Sequence, residues 1–356
     1  MDAVEAVTHA DPYPYYKSLR QGPALHEDSR LGLWVASRQS VIAEAFAHPL
    51  LFVRPAAEPV PAALVGTPAG DVFGQLVRMT DGAFHAMHKP AVEQAAQRWT
   101  LKDVAQAARD ATETLQPVLG ANDLISTLPV QAMARLLGVA EAALDSTCRQ
   151  VRVFVQGIAP KASKQAVEAA SGAAEALMAQ GREEGLAPVQ AANRIAFMQQ
   201  SLDATAGLIG LAALMLKRDA ALAAAADTSQ EAMRAFVAEV ERHQAPIQNT
   251  RRFAAVDLVL AGQPVAAGQG VLLVLASANR DEAFNPQADG FYPARNNSRS
   301  MGFGGGVHRC PGSKIAIEIV ASCLGGVRAN GRFDSYFPAQ AGFRPLGNAR
   351  IPVFEV

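Results

Sequence analysis

The chain is poor in cysteine, in aromatic residues and in charge. Three cysteines, Cys148, Cys310 and Cys323, in 356 residues are too few, and odd in number, for a disulfide framework. Charged residues make up 18% of the chain and the net charge is −1. The basic excess that nucleic-acid partners select for is absent. The N-terminal stretch "MDAVEAVTHADPYPYY" lacks the basic segment and apolar run of a secretory signal. Apolar stretches such as "LDATAGLIGLAALML" are shorter than a bilayer-spanning helix needs. These absences predict a cytoplasmic protein with no nucleic-acid and no membrane partner.

What is present is alanine, and half of all residues are hydrophobic. That composition favours a helix-rich globular fold with a substantial core. Apolar positions recur at helical spacing through "FHAMHKPAVEQAAQRW", "LKDVAQAARDATETL", "LISTLPVQAMARLLG", "KQAVEAASGAAEALMAQ" and "RIAFMQQSLDATAGLIGLAALMLK". The last is apolar on nearly every side and predicts a helix buried through the centre. "LGLWVASRQSVIAEAFAHP" predicts a strand over 31–36 and a helix ending near His48. The Pro-rich stretch over 54–70 predicts a long irregular connection. Beyond residue 245 the pattern alternates, with turn glycines at 262, 268 and 270, which predicts a small sheet. The fold class is α+β, predominantly α, in one domain over 1–356.

The densest feature is "MGFGGGVHRCPGSK", residues 301–314. It does not have the spacing of a phosphate loop, because Ser313 separates Gly312 from Lys314. It fails as a dinucleotide fingerprint too, since Val307 stands where the third glycine belongs and no strand precedes it. Zinc needs more ligands than His308 and Cys310 supply. What remains is a loop that presents one thiolate beside a helix start, where amides and the helix dipole stabilise negative sulfur. A single thiolate is a known proximal ligand for haem iron.

The stretch "FGGGVHRCPG" resembles the haem-binding signature of cytochromes P450, matched by Phe303, Gly304, Gly306, His308, Cys310 and Gly312. Further segments are similar along the whole chain. The resemblance implies haem b (iron protoporphyrin IX) as cofactor, with Cys310 as iron ligand. It implies propionate contacts from His85 and Lys89 in "FHAMHK", from Arg252 in "NTRRF" and from His308. It implies a buried structural network of Glu239, Arg242 and Arg295. A haem-thiolate monooxygenase acting on a small organic molecule follows, from bacterial secondary metabolism or catabolism. Dioxygen would be the oxidant and a separate ferredoxin or flavodoxin the electron donor. Arg309, Lys314 and Lys89 would offer that partner a basic face.

One departure matters. Relatives carry an acid followed by an alcohol in the long central helix, and this chain reads "QSLDAT". The acid is Asp203, but the alcohol position is Ala204. Proton delivery would pass to Ser201, Gln200, Thr205, water or the substrate. Alternatively the protein uses peroxide, catalyses a non-hydroxylating reaction, or binds haem as a sensor without turnover. A register shift making Thr205 the alcohol is the remaining reading. The chain is short between "MARLLG" and "RIAFMQ", where lid helices would lie, and this predicts a reduced lid.

Overall fold

The computed structural model describes Met1–Glu355. Its helices, in chain order, are α1 Tyr13–Gln21, α2 Gln39–Ala47, α3 Pro68–Gly74, α4 Gly82–Gln97, α5 Leu101–Leu115, α6 Ala121–Leu136 and α7 Leu144–Gly157. They continue with α8 Lys164–Glu183, α9 Pro188–Arg218, α10 Ala220–Ala226, α11 Gln230–Gln244, α12 Leu275–Ala278, α13 Ser313–Ala329 and α14 Phe333–Tyr336. The strands are β1 Leu25–Asp28, β2 Leu33–Ala36, β3 Leu51–Phe52, β4 Thr250–Ala254, β5 Leu258–Leu260, β6 Gln263–Val265, β7 Gly270–Leu273, β8 Ala341–Phe343 and β9 Pro352–Phe354.

The main sheet runs β1-β2-β7-β4-β3. It joins the N-terminal third of the chain to the segment after residue 245, with β2 parallel to β7 and β4 antiparallel to it. The expected strand over 31–36 begins only at Leu33, because Gly32 turns with a positive φ of 62° to close a hairpin with β1. The Pro-rich connection is not wholly irregular. Thr67 caps α3 by accepting the Gly70 amide at 3.1 Å, and Pro68 takes the first helical position, where its missing N–H costs nothing.

The long helix α9 has 31 residues and is about 46 Å long at 1.5 Å per residue. It starts at Pro188, with the Gln190 side chain accepting from the Ala187 amide. From Ala206 to Leu214 every residue is buried. Its two glycines admit the C-terminal segment. A Cβ at Gly207 would lie 2.9 Å from the Arg350 carbonyl oxygen, and one at Gly210 would lie 2.8 Å from Pro352. The largest core runs from Leu64 to Phe354 and gathers α5, α6, α9 and α13 around this helix.

The lid region is not reduced to a loop. The helices α7 and α8 pack closely, because Gly157 allows contact that a Cβ, 2.2 Å from that of Ala170, would block. Brevity lies instead in the connections at 158–163 and 184–187. The latter turns at Gly185, with φ 77°, straight into α9. One stretch, Gly306–Ala329, is long and apolar enough to cross a membrane, but half of it is buried inside the fold.

Candidate functional site

The loop over 301–310 is held as a narrow turn. The Cys310 amide donates to Phe303 O at 2.9 Å, and the Gly304 amide donates to Met301 O at 2.8 Å. Gly304 and Gly306 both have positive φ, 69° and 59°, where a side chain would be strained. At Gly306 a Cβ would also collide with the Phe46 carbonyl oxygen at 2.0 Å, and at Gly302 with Glu241 Oε1 at 1.8 Å. Gly306 is therefore required by packing against the backbone of α2, while at Gly302 the Glu241 side chain would have to move. Near Gly304 only His308 O comes within 4 Å of a Cβ position. Phe303 is half-buried.

Cys310 lies immediately before α13, and the Gly312 amide hydrogen-bonds its sulfur. Burial raises the thiol pKa, while that amide, Lys89 and Arg78 oppose the shift. The sulfur thus sits deep in the protein within reach of positive charge, and its residue keeps an open surface.

His85 on α4 is 5% exposed, and its Nε2 is buried without a hydrogen-bond partner. Burial, with His308 and Lys89 adding to it, lowers its pKa to about 4. The ring lies 4.3 Å from that of His308, centroid to centroid. His308 Nε2 is 2.9 Å from Asp81 Oδ1, and Asp81 Oδ2 accepts from the Val53 amide at 2.9 Å. Arg252, on β4, is buried over the Phe46 ring and donates Nη1 to its neighbour's carbonyl, Arg251 O, at 2.8 Å. Burial lowers its pKa to about 10, and Asp81 is the charge that opposes this. The expected contact partners therefore gather, but around an acid the motif reading did not include. Lys89 Nζ donates to Arg309 O at 2.9 Å and so braces the Cys310 loop.

Glu239 and Arg242 form a fully buried bidentate pair, with contacts of 2.8 and 2.7 Å. Arg295 reaches the same carboxylate at 3.3 Å. The remaining Arg242 donors go to the carbonyls of Asn279, Ala288 and Gly290. Such a network is costly to break, since removing one partner leaves an uncompensated buried charge.

On α9, Gln200 is exposed and Ala204, one turn later, is half-buried. Residues four apart share a face, so these two form one open stripe. Ser201 and Thr205 form a different stripe and are buried. The Ser201 hydroxyl is already committed to Met198 O at 2.7 Å. Burial raises the Asp203 pKa, and Arg344 opposes it. The open face at this level therefore carries an amide and a methyl group, with Asp203 beside them.

The comparisons agree with this geometry. The family model for cytochrome P450 matches residues 226–326. Linalool 8-monooxygenase of Pseudomonas putida is 41% identical over 86 residues, 24% of this chain and 21% of that protein. Cytochrome P450-SU2 of Streptomyces griseolus is 34% identical over 115 residues, 32% of this chain and 28% of that protein. The chain thus aligns with under a third of the length of each of these curated relatives. Among solved structures, CalO2 superposes with a TM-score of 0.82 at 20% identity, covering 99% of this chain and 97% of that one. P450 RauA, solved with a biosynthetic intermediate of aurachin RE, gives 0.80 at 20%, covering 99% and 96%. Residues 226–326 thus match the cytochrome P450 family model, and the whole chain has the cytochrome P450 fold.

The family's cofactor is haem b. The residues present fit it. Cys310 supplies one deep sulfur. The unpartnered His85 Nε2 and the buried Arg252 guanidinium are donors of the kind that propionate carboxylates accept from. The motif reading missed Asp81 and Arg78. Asp81 stands four residues before His85, so it had a signal in the sequence.

Proposed function

We propose that the protein is a haem-thiolate oxidoreductase, a monooxygenase acting on a small organic molecule as one catalytic unit over 1–356. The observation that carries the reading is the Cys310 turn, its sulfur held by the Gly312 amide opposite buried donors on α4 and β4. Haem b held there would supply reductive activation of dioxygen and insertion of one oxygen atom into the substrate, with electrons from a separate ferredoxin or flavodoxin. Arg309 and Lys314 are exposed beside Cys310 and suit an acidic partner of that kind. A water-soluble bacterial enzyme of the cytoplasm, in secondary metabolism or catabolism, is the setting that fits.

The chain's own residues then have defined tasks. Cys310 donates electron density from a desolvated thiolate. Gln200, one turn before Ala204 on the open face of α9, would orient water there with its amide. Asp203, whose pKa burial raises, holds a proton at higher pH than an exposed carboxylate would. Ser201 is tied to Met198 O and does not take part.

The reduced, CO-treated holoprotein should show the strongly red-shifted Soret band of thiolate ligation, and Cys310→Ser should lose it. A histidine-type spectrum would overturn the reading. The Ala204 methyl favours one alternative, peroxide as oxidant. Turnover with hydrogen peroxide that exceeds turnover with dioxygen, NADPH and ferredoxin would favour it.

A further inference from the structure

The stretch that leads into the Cys310 turn, residues 298–301, belongs to no helix or strand. Arg299 is exposed, and Ser300 and Met301 are half-buried. The backbone is nevertheless fixed, and two buried asparagines fix it. Asn285 is 1% exposed. Its Oδ1 accepts from the Arg299 amide at 3.0 Å, and its Nδ2 donates to Arg299 O at 2.9 Å. The carboxamide thus pairs with residue 299 as a neighbouring strand would. Asn279, just past the end of α12, is fully buried. Its Oδ1 accepts from the Met301 amide at 2.6 Å. Met301 O in turn accepts from the Gly304 amide. Asn279 therefore holds the residue on which the turn closes.

Asn279 also reaches the other way. Its carbonyl accepts from Arg242 Nη1 at 2.9 Å and from Asn285 Nδ2 at 3.2 Å. Its backbone is thus bound to the buried ion pair of α11, and its side chain to the Cys310 turn. The side chain makes no other bond. Asn279 Nδ2 is buried without a hydrogen-bond partner among the described residues. An orphaned buried donor costs stability, so this carboxamide adds little to the strength of the fold. What it supplies is one acceptor in one place.

We propose that Asn279 is a positioning residue for the Cys310 sulfur, setting through the Met301 amide the turn that aims the ligand and tying that turn to the Glu239–Arg242 pair. Asn285 assists by fixing residue 299. Groups that hold a metal ligand from behind set its orientation and tune the metal. This inference rests on the haem-thiolate reading above.

The test uses the holoprotein as its reduced CO complex, in which a ligated thiolate gives the red-shifted band and a displaced sulfur does not. Spectra are taken in mild urea, where the parent protein populates both forms. Asn279→Leu keeps the size of the side chain without the acceptor. It should lower the ratio of thiolate-ligated to displaced form about fivefold, the weight of one hydrogen bond on an equilibrium, at unchanged haem per protein. Asn279→Asp keeps an oxygen for the Met301 amide, gives up only the orphaned donor, and should restore the ratio. Asn285→Leu frees Arg299 and should lower the ratio too, so it decides the matter if Asn279→Leu does not take up haem. Asn279→Leu that unfolds more easily yet keeps the parent ratio overturns the proposal, since a purely structural asparagine would behave that way. So does Asn279→Asp that matches Asn279→Leu. A parent protein with no thiolate band at all overturns the haem reading itself, which sets that failure apart from this one.

Discussion

His308 Nε2 and Asp81 Oδ1 lie 2.9 Å apart and tie the Cys310 turn to the first turn of α4. The same carboxylate holds the Val53 amide and is the charge that opposes the effect of burial on Arg252. Asp81→Ala removes all three interactions. Loss of two hydrogen bonds to a charged group should cost about 3–6 kcal/mol, read as a lower urea midpoint. Haem transfer to apomyoglobin should also accelerate. Asp81→Asn keeps the hydrogen-bonding capacity and should lie between the two. Unchanged haem retention in Asp81→Ala would show that the tie does not support the cofactor site.

Gly306→Ala meets two obstacles together. The backbone is left-handed at φ 59°, and the new Cβ would lie 2.0 Å from Phe46 O. Strain and overpacking of this kind cost roughly 1–3 kcal/mol each. The variant should lose haem-loaded yield, measured as Soret absorbance per protein. Gly304→Ala shares the φ but not the collision, so it should be milder. Equal losses at both positions would refute the packing argument.

Glu241 is buried beneath the Gly302 turn, and burial raises its pKa to about 7. Folding therefore favours the protonated acid. The favourable state is fully present below about pH 4.5, the ordinary glutamate value, and is lost as pH rises through 7. A shift of this size corresponds to about 3 kcal/mol. Glu241→Gln should stabilise the protein at pH 8 and have little effect at pH 4.5. Urea unfolding of both proteins across that range measures it. An identical pH slope in the two proteins would contradict the assignment.

Gln200 and Ala204 share the open stripe of α9. If the Gln200 amide orders water beside the methyl, Gln200→Ala should raise the hydrogen peroxide released per NADPH consumed. Ala204→Thr, which supplies a hydroxyl on the same stripe, should lower it. Thr205→Val should change little, because Thr205 faces the core. A large effect at Thr205 with none at Gln200 would move proton delivery to the buried stripe.

The Cys310 turn was legible because a ten-residue window carries six matching residues. The buried Glu239–Arg242 pair was legible through the resemblance, since a spacing of three on a helix suits a surface pair equally well. Arg295 was supplied by the resemblance too, since strands β4 to β7, α12 and an irregular stretch separate it from Arg242. Other features depend on packing that no local pattern encodes. Gly306 is demanded by the Phe46 carbonyl beside it, a neighbour from a distant helix. The caps of α3 were present as "TPAG" but were masked by the surrounding prolines. Where the sequence pointed to a short lid, the structure has helices α7 and α8 joined by short turns.

Asn193 of α9 holds residues 75 and 77 through their backbone atoms alone. The turn that leads into α4 is therefore docked on the long helix whatever side chains positions 75 and 77 carry. The approach to the helix that bears His85 is set by one amide side chain, so the sequence around it can drift without moving that histidine.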